Sequence, residues 1–231
     1  MSPIRRTFAG KDELALALAD TVAEQLKAGL AARGAAVLAV SGGSTPARFF
    51  AALAQRADIG WNMVTITLVD ERWVDETSER SNARLVNANL LQGPAAKARF
   101  VPLYQGGDAP TPDAIVRASA RIEALGPIDV VILGMGNDGH TASFFPGGDT
   151  LAEALTTNAP VLAIRAPGAG EPRVTLSLRR LLAADNVYLH IEGEEKAGVL
   201  DQALGEGSDQ EMPVRAVLHQ DQKPVTIFWC P

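Results

Sequence analysis

His140 and Asp138 stand two residues apart in the run Gly134-Met135-Gly136-Asn137-Asp138-Gly139-His140-Thr141-Ala142. An imidazole, with an ordinary pKa of about 6.5, suits proton removal from water at neutral pH. A carboxylate beside it can orient the ring and stabilise its cation. Glycines at 134, 136 and 139 let the backbone turn sharply and come close to a ligand. The run follows an apolar stretch, Ile128 to Leu133, that reads as a buried strand. Open α/β sheets place their chemistry at such strand ends. An enzyme is expected, with His140 and Asp138 as catalytic residues.

Gly134, Gly136 and Gly139 also satisfy the G-x-G-x-x-G spacing of dinucleotide-binding proteins. The context argues against that reading. Asp138 would set a negative charge beside the pyrophosphate, and Pro146-Gly147-Gly148 interrupts the helix that should follow. Asp149 and Glu153 come too soon to be the ribose-binding acid, which belongs roughly 20 residues further on.

Two other strand ends carry unusual residues. Ser41-Gly42-Gly43-Ser44-Thr45-Pro46 reads as an anion cradle. Gly42 and Gly43 open the backbone N–H groups, Ser44 and Thr45 add hydroxyls, and Pro46 suits a first helical turn. It is not a Walker loop, because no Gly-Lys-Ser/Thr ending follows. Ala39-Val40-Ser41-Gly42-Gly43 also approximates a nucleophile elbow, so a serine hydrolase with Ser41, an aspartate and a later histidine is the rival reading. In Asp70-Glu71-Arg72-Trp73-Val74, Asp70 and Arg72 share one side of an extended chain, beside a polar substrate, and Glu71 is expected to face outward. Asn82 opens the next helix and either caps it or faces the ligand. Arg173 and Lys196 are cations of the kind a phosphate requires in an acidic protein. His190, inside a strand, is expected to be structural, and His219, in a polar loop, solvated.

The elements that must position these loops alternate. Leu14, Leu18, Val22, Leu26 and Leu30 mark one face of a helix that Gly34 ends. Strands are expected at Ala36 to Val40, Val64 to Val69, Arg99 to Leu103, Ile128 to Leu133, Val161 to Arg165, Val187 to Ile191 and Val225 to Trp229. Helices are expected from about Pro46 to Ala57, Asn82 to Leu91, Asp113 to Leu125 and Glu194 to Leu204, with Asp70 to Ser81 a polar loop. The alternation predicts a single α/β domain over residues 1–231, a doubly wound, mostly parallel sheet with helices on both faces. Its strand carboxyl ends share one edge, so the three loops converge there.

Composition narrows the class further. The 231 residues are 47% hydrophobic and carry a net charge of −6, which argues against nucleic acid as a partner. Cys230 is the only cysteine, so neither an internal disulfide nor a cysteine-based zinc site is expected, and its apolar surroundings suggest a packed thiol. No apolar run approaches 20 residues and the amino end lacks an apolar signal core, so a cytoplasmic enzyme is expected.

Together these motifs resemble the 6-phosphogluconolactonase family, within the glucosamine/galactosamine-6-phosphate isomerase-like superfamily. The likeness runs through Ser41 to Pro46, Asp70 to Val74, Ser81-Asn82, Gly134 to Ser143, Phe145-Pro146-Gly147, Arg173 to Ser177, Gly193 with Lys196, and the Trp229-containing end. It implies a modified doubly wound, Rossmann-like fold. The implied activity is hydrolysis of 6-phospho-D-glucono-1,5-lactone in the pentose phosphate pathway, without metal or cofactor. His140 would then activate water, with Asp138 steadying it and Arg72 or glycine-loop N–H groups meeting the oxyanion. Asp70 would lie near the reacting centre or on sugar hydroxyls. Gly42, Gly43, Ser44, Thr45, Asn82, Arg173 and Lys196 would hold the phosphorylated sugar. A monomer or weak homodimer is expected. Glucosamine-6-phosphate deaminase is the neighbouring alternative. Its pattern carries a glutamate where this chain has Phe144-Phe145-Pro146-Gly147. A non-catalytic sugar-phosphate-binding module is the other.

Overall fold

Val69 is where the chain leaves one sheet for another. Its N–H donates to Val40 O at the end of a parallel ladder, and its carbonyl accepts from Leu176 N in an antiparallel one (both 2.9 Å). In the computed structural model, which describes residues 2–231, this crossing sets Asp70 and Arg72 beside the ends of the central strands.

The chain begins with strand β1 (Ile4–Thr7), helix α1 (Lys11–Arg33) and strand β2 (Ala36–Val40). Leu14, Leu18, Val22 and Leu26 are fully buried, and Gly34 closes α1 in the left-handed region at φ 71°. Each such leucine, taken out of water, contributes about 1.5–3 kcal/mol. There follow α2 (Ala47–Ala54), β3 (Val64–Leu68), β4 (Asp70–Arg72), α3 (Asn82–Asn89), β5 (Arg99–Val101), α4 (Pro112–Glu123) and β6 (Val130–Leu133). The remainder comprises α5 (Leu151–Thr156), β7 (Val161–Ile164), β8 (Arg173–Leu176), α6 (Leu178–Leu182), β9 (Asn186–Glu192), α7 (Glu194–Leu204), α8 (Arg215–Leu218) and β10 (Thr226–Cys230).

Seven strands form one sheet in the order β1-β10-β9-β6-β2-β3-β5, and every neighbouring pair is parallel. All residues of β2 and β6 are buried, as they must be when helices cover both faces. From β2 the chain winds outward to β3 and β5, then returns to β6 on the other side of β2. The strand order reverses between β2 and β6, and that crevice is the switch point of a doubly wound sheet. The α/β architecture expected from the alternation is therefore present.

Several boundaries differ from expectation. Strand β4 lies in what reads as a polar loop, and β8, although its alternation is visible, pairs with it rather than joining the large sheet. Strand β7 belongs to the same small antiparallel sheet, ordered β4-β8-β7. Helix α2 stops at Ala54 rather than Ala57. Strand β1 and the short helices α5, α6 and α8 have too few residues for a period to be read. Among the described residues no helix is long and apolar enough to cross a membrane.

Candidate active site

The loop after β6 folds tightly upon itself. Gly136 N–H donates to His140 O (2.8 Å), Gly139 N–H to Gly136 O (3.2 Å), and Thr141 Oγ1 to Gly134 O (2.7 Å). Gly139 takes φ 76°, and Val214 N–H donates to its carbonyl (2.9 Å). A Cβ on Gly136 would fall on the His140 ring and the Asp138 carboxylate, so glycine there is dictated by close approach. The outcome is a fixed pair: His140 Nδ1 lies 2.6 Å from Asp138 Oδ1, which also accepts from His140 N–H (3.1 Å). With Nδ1 committed to the carboxylate, Nε2 is the ring atom left for proton transfer. Phe145 packs against the imidazole, ring centroids 4.3 Å apart.

Burial pushes the Asp138 carboxyl up, but the hydrogen bond and charge of His140 outweigh it and hold the group down at about 2. Its folded value lies below the ordinary 3.8, so the stability it contributes is complete above that value and vanishes as pH falls toward about 2. Asp138 is half exposed, which screens the pair to roughly 1 kcal/mol. In urea unfolding, Asp138→Asn is expected to be less stable than the wild type by that amount at neutral pH. The gap should close in the acid window, and a gap that ignores pH would contradict this account.

Several cations also line the crevice. Pro46 occupies the N-cap of α2, so the amino end of this helix opens at the loop of Gly42 to Thr45. Gly43 adopts φ 94°, whereas Gly42 is required because a Cβ there would strike the Asn82 amide. Asn82 Nδ2 in turn donates to Asp70 O (2.9 Å), and Ser143 Oγ donates to Asp70 Oδ2 (2.6 Å). Both Asp70 and Asn82 are buried. Arg72 and Arg173 stand directly opposite each other in the β4–β8 ladder. Like charges so placed repel. Burial lowers the Arg173 pKa, Asp70 pulls it back up, and Arg72 pushes it down again. Arg72 donates from Nη1 to Arg80 O (2.6 Å) and Arg173 from Nη2 to Ala169 O (2.6 Å), yet each keeps a buried Nε without a partner among the described residues. Lys196 lies in the first turn of α7, its pKa lowered by burial against the opposing pull of Glu195 and Asp138.

Glu71 does not face outward, contrary to expectation: it is fully buried. Its carboxylate accepts from the N–H groups of Arg72 (2.7 Å), Asn82 (2.8 Å) and Ala83 (2.8 Å) and from Ser81 Oγ (3.1 Å). Burial raises its pKa, and these three amides partly offset that rise. The N-cap of α3 is Ser81, whose Oγ accepts from Arg84 N–H (3.2 Å). Asn82 is therefore left to face the cleft, the second of the two roles open to it.

These groups meet in one cleft of about 240 Å3. Of the residues singled out in the sequence, Gly42, Gly43, Ser44, Thr45, Asp70, Arg72, Asn82, His140, Arg173 and Lys196 line it, and Asp138 stands behind His140. Ser41 lines it too, but among the described residues no imidazole is hydrogen-bonded to its hydroxyl, as the serine-hydrolase reading requires: His140 pairs with Asp138 and His190 with Glu192. Sequence reasoning missed Ser143, which had no role assigned within its motif, and the cleft position of His190, which is buried at 3% exposure but lines the wall. His219 is exposed and Cys230 buried, as expected.

A switch-point cleft lined by a histidine paired with an aspartate and by several cations defines an α/β enzyme for a small anionic substrate. The chain belongs to the family described as glucosamine-6-phosphate isomerases/6-phosphogluconolactonase, whose model matches residues 9–229. It is 52% identical to the 6-phosphogluconolactonase of Rhizobium meliloti (strain 1021) over 100% of both chains. It is 51% identical to that of Mesorhizobium japonicum, covering 97% of this chain and 94% of the relative. The crystal structure of a 6-phosphogluconolactonase from Shewanella baltica superposes with a TM-score of 0.93 at 42% identity, covering 99% of this chain and 98% of that one.

Proposed function

We infer that this chain hydrolyses 6-phospho-D-glucono-1,5-lactone to 6-phosphogluconate, the activity named for its full-length relatives. One observation carries the assignment of roles: the Asp138–His140 pair and the guanidinium-bearing Arg72 and Arg173 meet in a single cleft, His140 and Arg173 both packing against Phe145. A proton acceptor and cations gathered in one cleft suit an ester that bears a phosphate.

In the proposed reaction His140 Nε2 takes a proton from water as the water oxygen bonds to the lactone carbonyl carbon. Asp138 stabilises the imidazolium. The carbonyl electrons move to its oxygen, which accepts hydrogen bonds from Arg72 or glycine-loop N–H groups. When the tetrahedral species collapses, the bond to the ring oxygen breaks and His140 returns its proton there. Arg173, Lys196 and the Gly42-Gly43-Ser44-Thr45 loop hold the phosphate, while Asp70 and Asn82, locked by Ser143 and by each other, meet sugar hydroxyls. Phe145 packs against the histidine in the stretch where a deaminase of this superfamily is expected to carry its glutamate, so ring-opening of an amino sugar lacks its second acid–base group.

The test is hydrolysis of freshly generated lactone by chelator-treated protein, measured above the spontaneous background. Turnover well above background is expected, with no loss on chelation. Background-only hydrolysis by folded protein that still binds 6-phosphogluconate would instead mark a binding module.

A further inference from the structure

A second buried histidine–carboxylate pair lies in the wall of the same cleft, and the lactonase mechanism does not use it. His190, on β9, is 2% exposed by its side chain, and its Nε2 lies 3.2 Å from Glu192 Oε1. Residues 190 and 192 of a strand point to one face of the sheet. On that face Phe49 of α2 meets the His190 ring edge-on at 6.2 Å, and Lys11 at the start of α1 places Nζ 3.3 Å from Glu192 Oε2. His190 thus sits near the amino end of α2 and lines the cleft together with Ser44, Thr45, Pro46 and Lys196. The charged and titratable groups around it are Glu192 on its own strand, Lys11 from α1, Lys196 from α7 and Cys230 from the adjacent β10.

The pair has a defined proton inventory. Burial raises Glu192, but the His190 hydrogen bond and Lys11 outweigh this and hold it below the usual carboxylate range. Burial and Glu192 push the Cys230 thiol up, so it stays neutral. A carboxylate at Nε2 fixes the hydrogen on that nitrogen and leaves Nδ1, which has no partner among the described residues, to accept a proton.

We propose that His190, held by Glu192, is a proton-accepting element of the anion subsite: it takes up one proton from solvent as a phosphate monoester dianion enters the cleft, and so becomes a further cation there beside Lys196 and Arg173. The inference rests on the reading that the phosphate is held by the Ser44-Thr45 loop, Lys196 and Arg173. The physical reason is charge balance. A dianion brought near an imidazole that already faces one carboxylate favours the imidazolium. The protonated ring then presents Nδ1–H to a phosphate oxygen as a charge-assisted donor. Linkage gives the sign. A ligand that prefers the protonated form binds less tightly as pH rises, by up to tenfold per pH unit while one proton is coupled.

The chain has three histidines, so the imidazoles can be watched one by one. The experiment is 15N NMR of the ring nitrogens in the intact protein at pH 8, where phosphate monoesters are dianions, during titration with 6-phosphogluconate and, separately, with inorganic phosphate. His219→Gln and His140→Gln identify their own signals, so His190 is assigned by elimination without altering a buried residue. The expected result is conversion of His190 from a ring protonated at Nε2 to an imidazolium on saturation with either ligand, and loss of that conversion in Glu192→Gln. A His190 that stays neutral with ligand bound, or that gains its proton equally in Glu192→Gln, overturns the proposal. If inorganic phosphate binds and protonates His190 but 6-phosphogluconate does not bind, the lactonase reading fails and this one stands. If neither binds, both fail.

Discussion

Replacing His140 with alanine is expected to lower kcat for the lactone by about 10²–10⁴-fold while KM stays within a few-fold. The imidazole lines the cleft with its geometry fixed, Nδ1 tied to Asp138 at 2.6 Å and the ring packed on Phe145. Its proposed work lies in the transition state, so its loss should fall on kcat and kcat/KM alike. The fold has little at stake. The His140 side chain is 31% exposed and its loop is held by backbone hydrogen bonds that alanine preserves. Asp138→Asn should reduce kcat less, because the base remains while its orientation and cation stabilisation weaken. Steady-state kinetics on freshly prepared lactone, with spontaneous opening subtracted, separate the two. Near-normal kcat in a folded His140→Ala protein would remove the water-activation mechanism.

The histidine–aspartate loop was readable in the sequence because its information is local. Its glycines, acid and histidine fall within nine residues after an apolar strand, and the structure places them on one turn. The convergence of three loops was readable for a different reason: parallel strands share a carboxyl edge. What could not be read depends on pairings between residues far apart. Asp-Glu-Arg at 70–72 has the composition of a solvated loop, and becomes a strand only because Arg173 to Leu176 lies alongside it, about a hundred positions later. Glu71 is the sharpest case. A carboxylate just past a strand end belongs in water unless donors surround it, and the donors come from the first turn of α3, ten to twelve residues away. His190 illustrates a milder version. Alternation places it in a strand, but lining of the cleft follows from its nearness to the end of β9 and to the amino turn of α2.

Arg173→Met tests the cationic wall, and its expected outcome pairs a functional loss with no loss of stability. A buried guanidinium opposite another guanidinium is locally unfavourable, since desolvation, with Arg72 and Arg80, outweighs the support that Asp70 and Glu171 give its charge. Such a conflict persists in a fold when a ligand resolves it, and an anion held between or beside the two arginines does so. Methionine keeps much of the aliphatic length that packs near Phe145, whose ring lies 5.3 Å from the Arg173 guanidinium, but it removes the charge. It also frees Ala169 O from its 2.6 Å bond to Arg173 Nη2, a modest cost on the stability side. The folded protein should therefore melt at or slightly above the wild-type temperature in the absence of ligand. The KM for the phosphorylated lactone should rise by about 10²–10³-fold, equivalent to about 3–4 kcal/mol of lost binding to a desolvated charge. Binding of 6-phosphogluconate should weaken in parallel, whereas the weak affinity for unphosphorylated gluconate should be almost unaffected. That contrast assigns Arg173 to the phosphate rather than to the sugar ring. Equal weakening toward both ligands would move Arg173 to the lactone end of the cleft and leave the phosphate to Lys196 and the loop of Gly42 to Thr45.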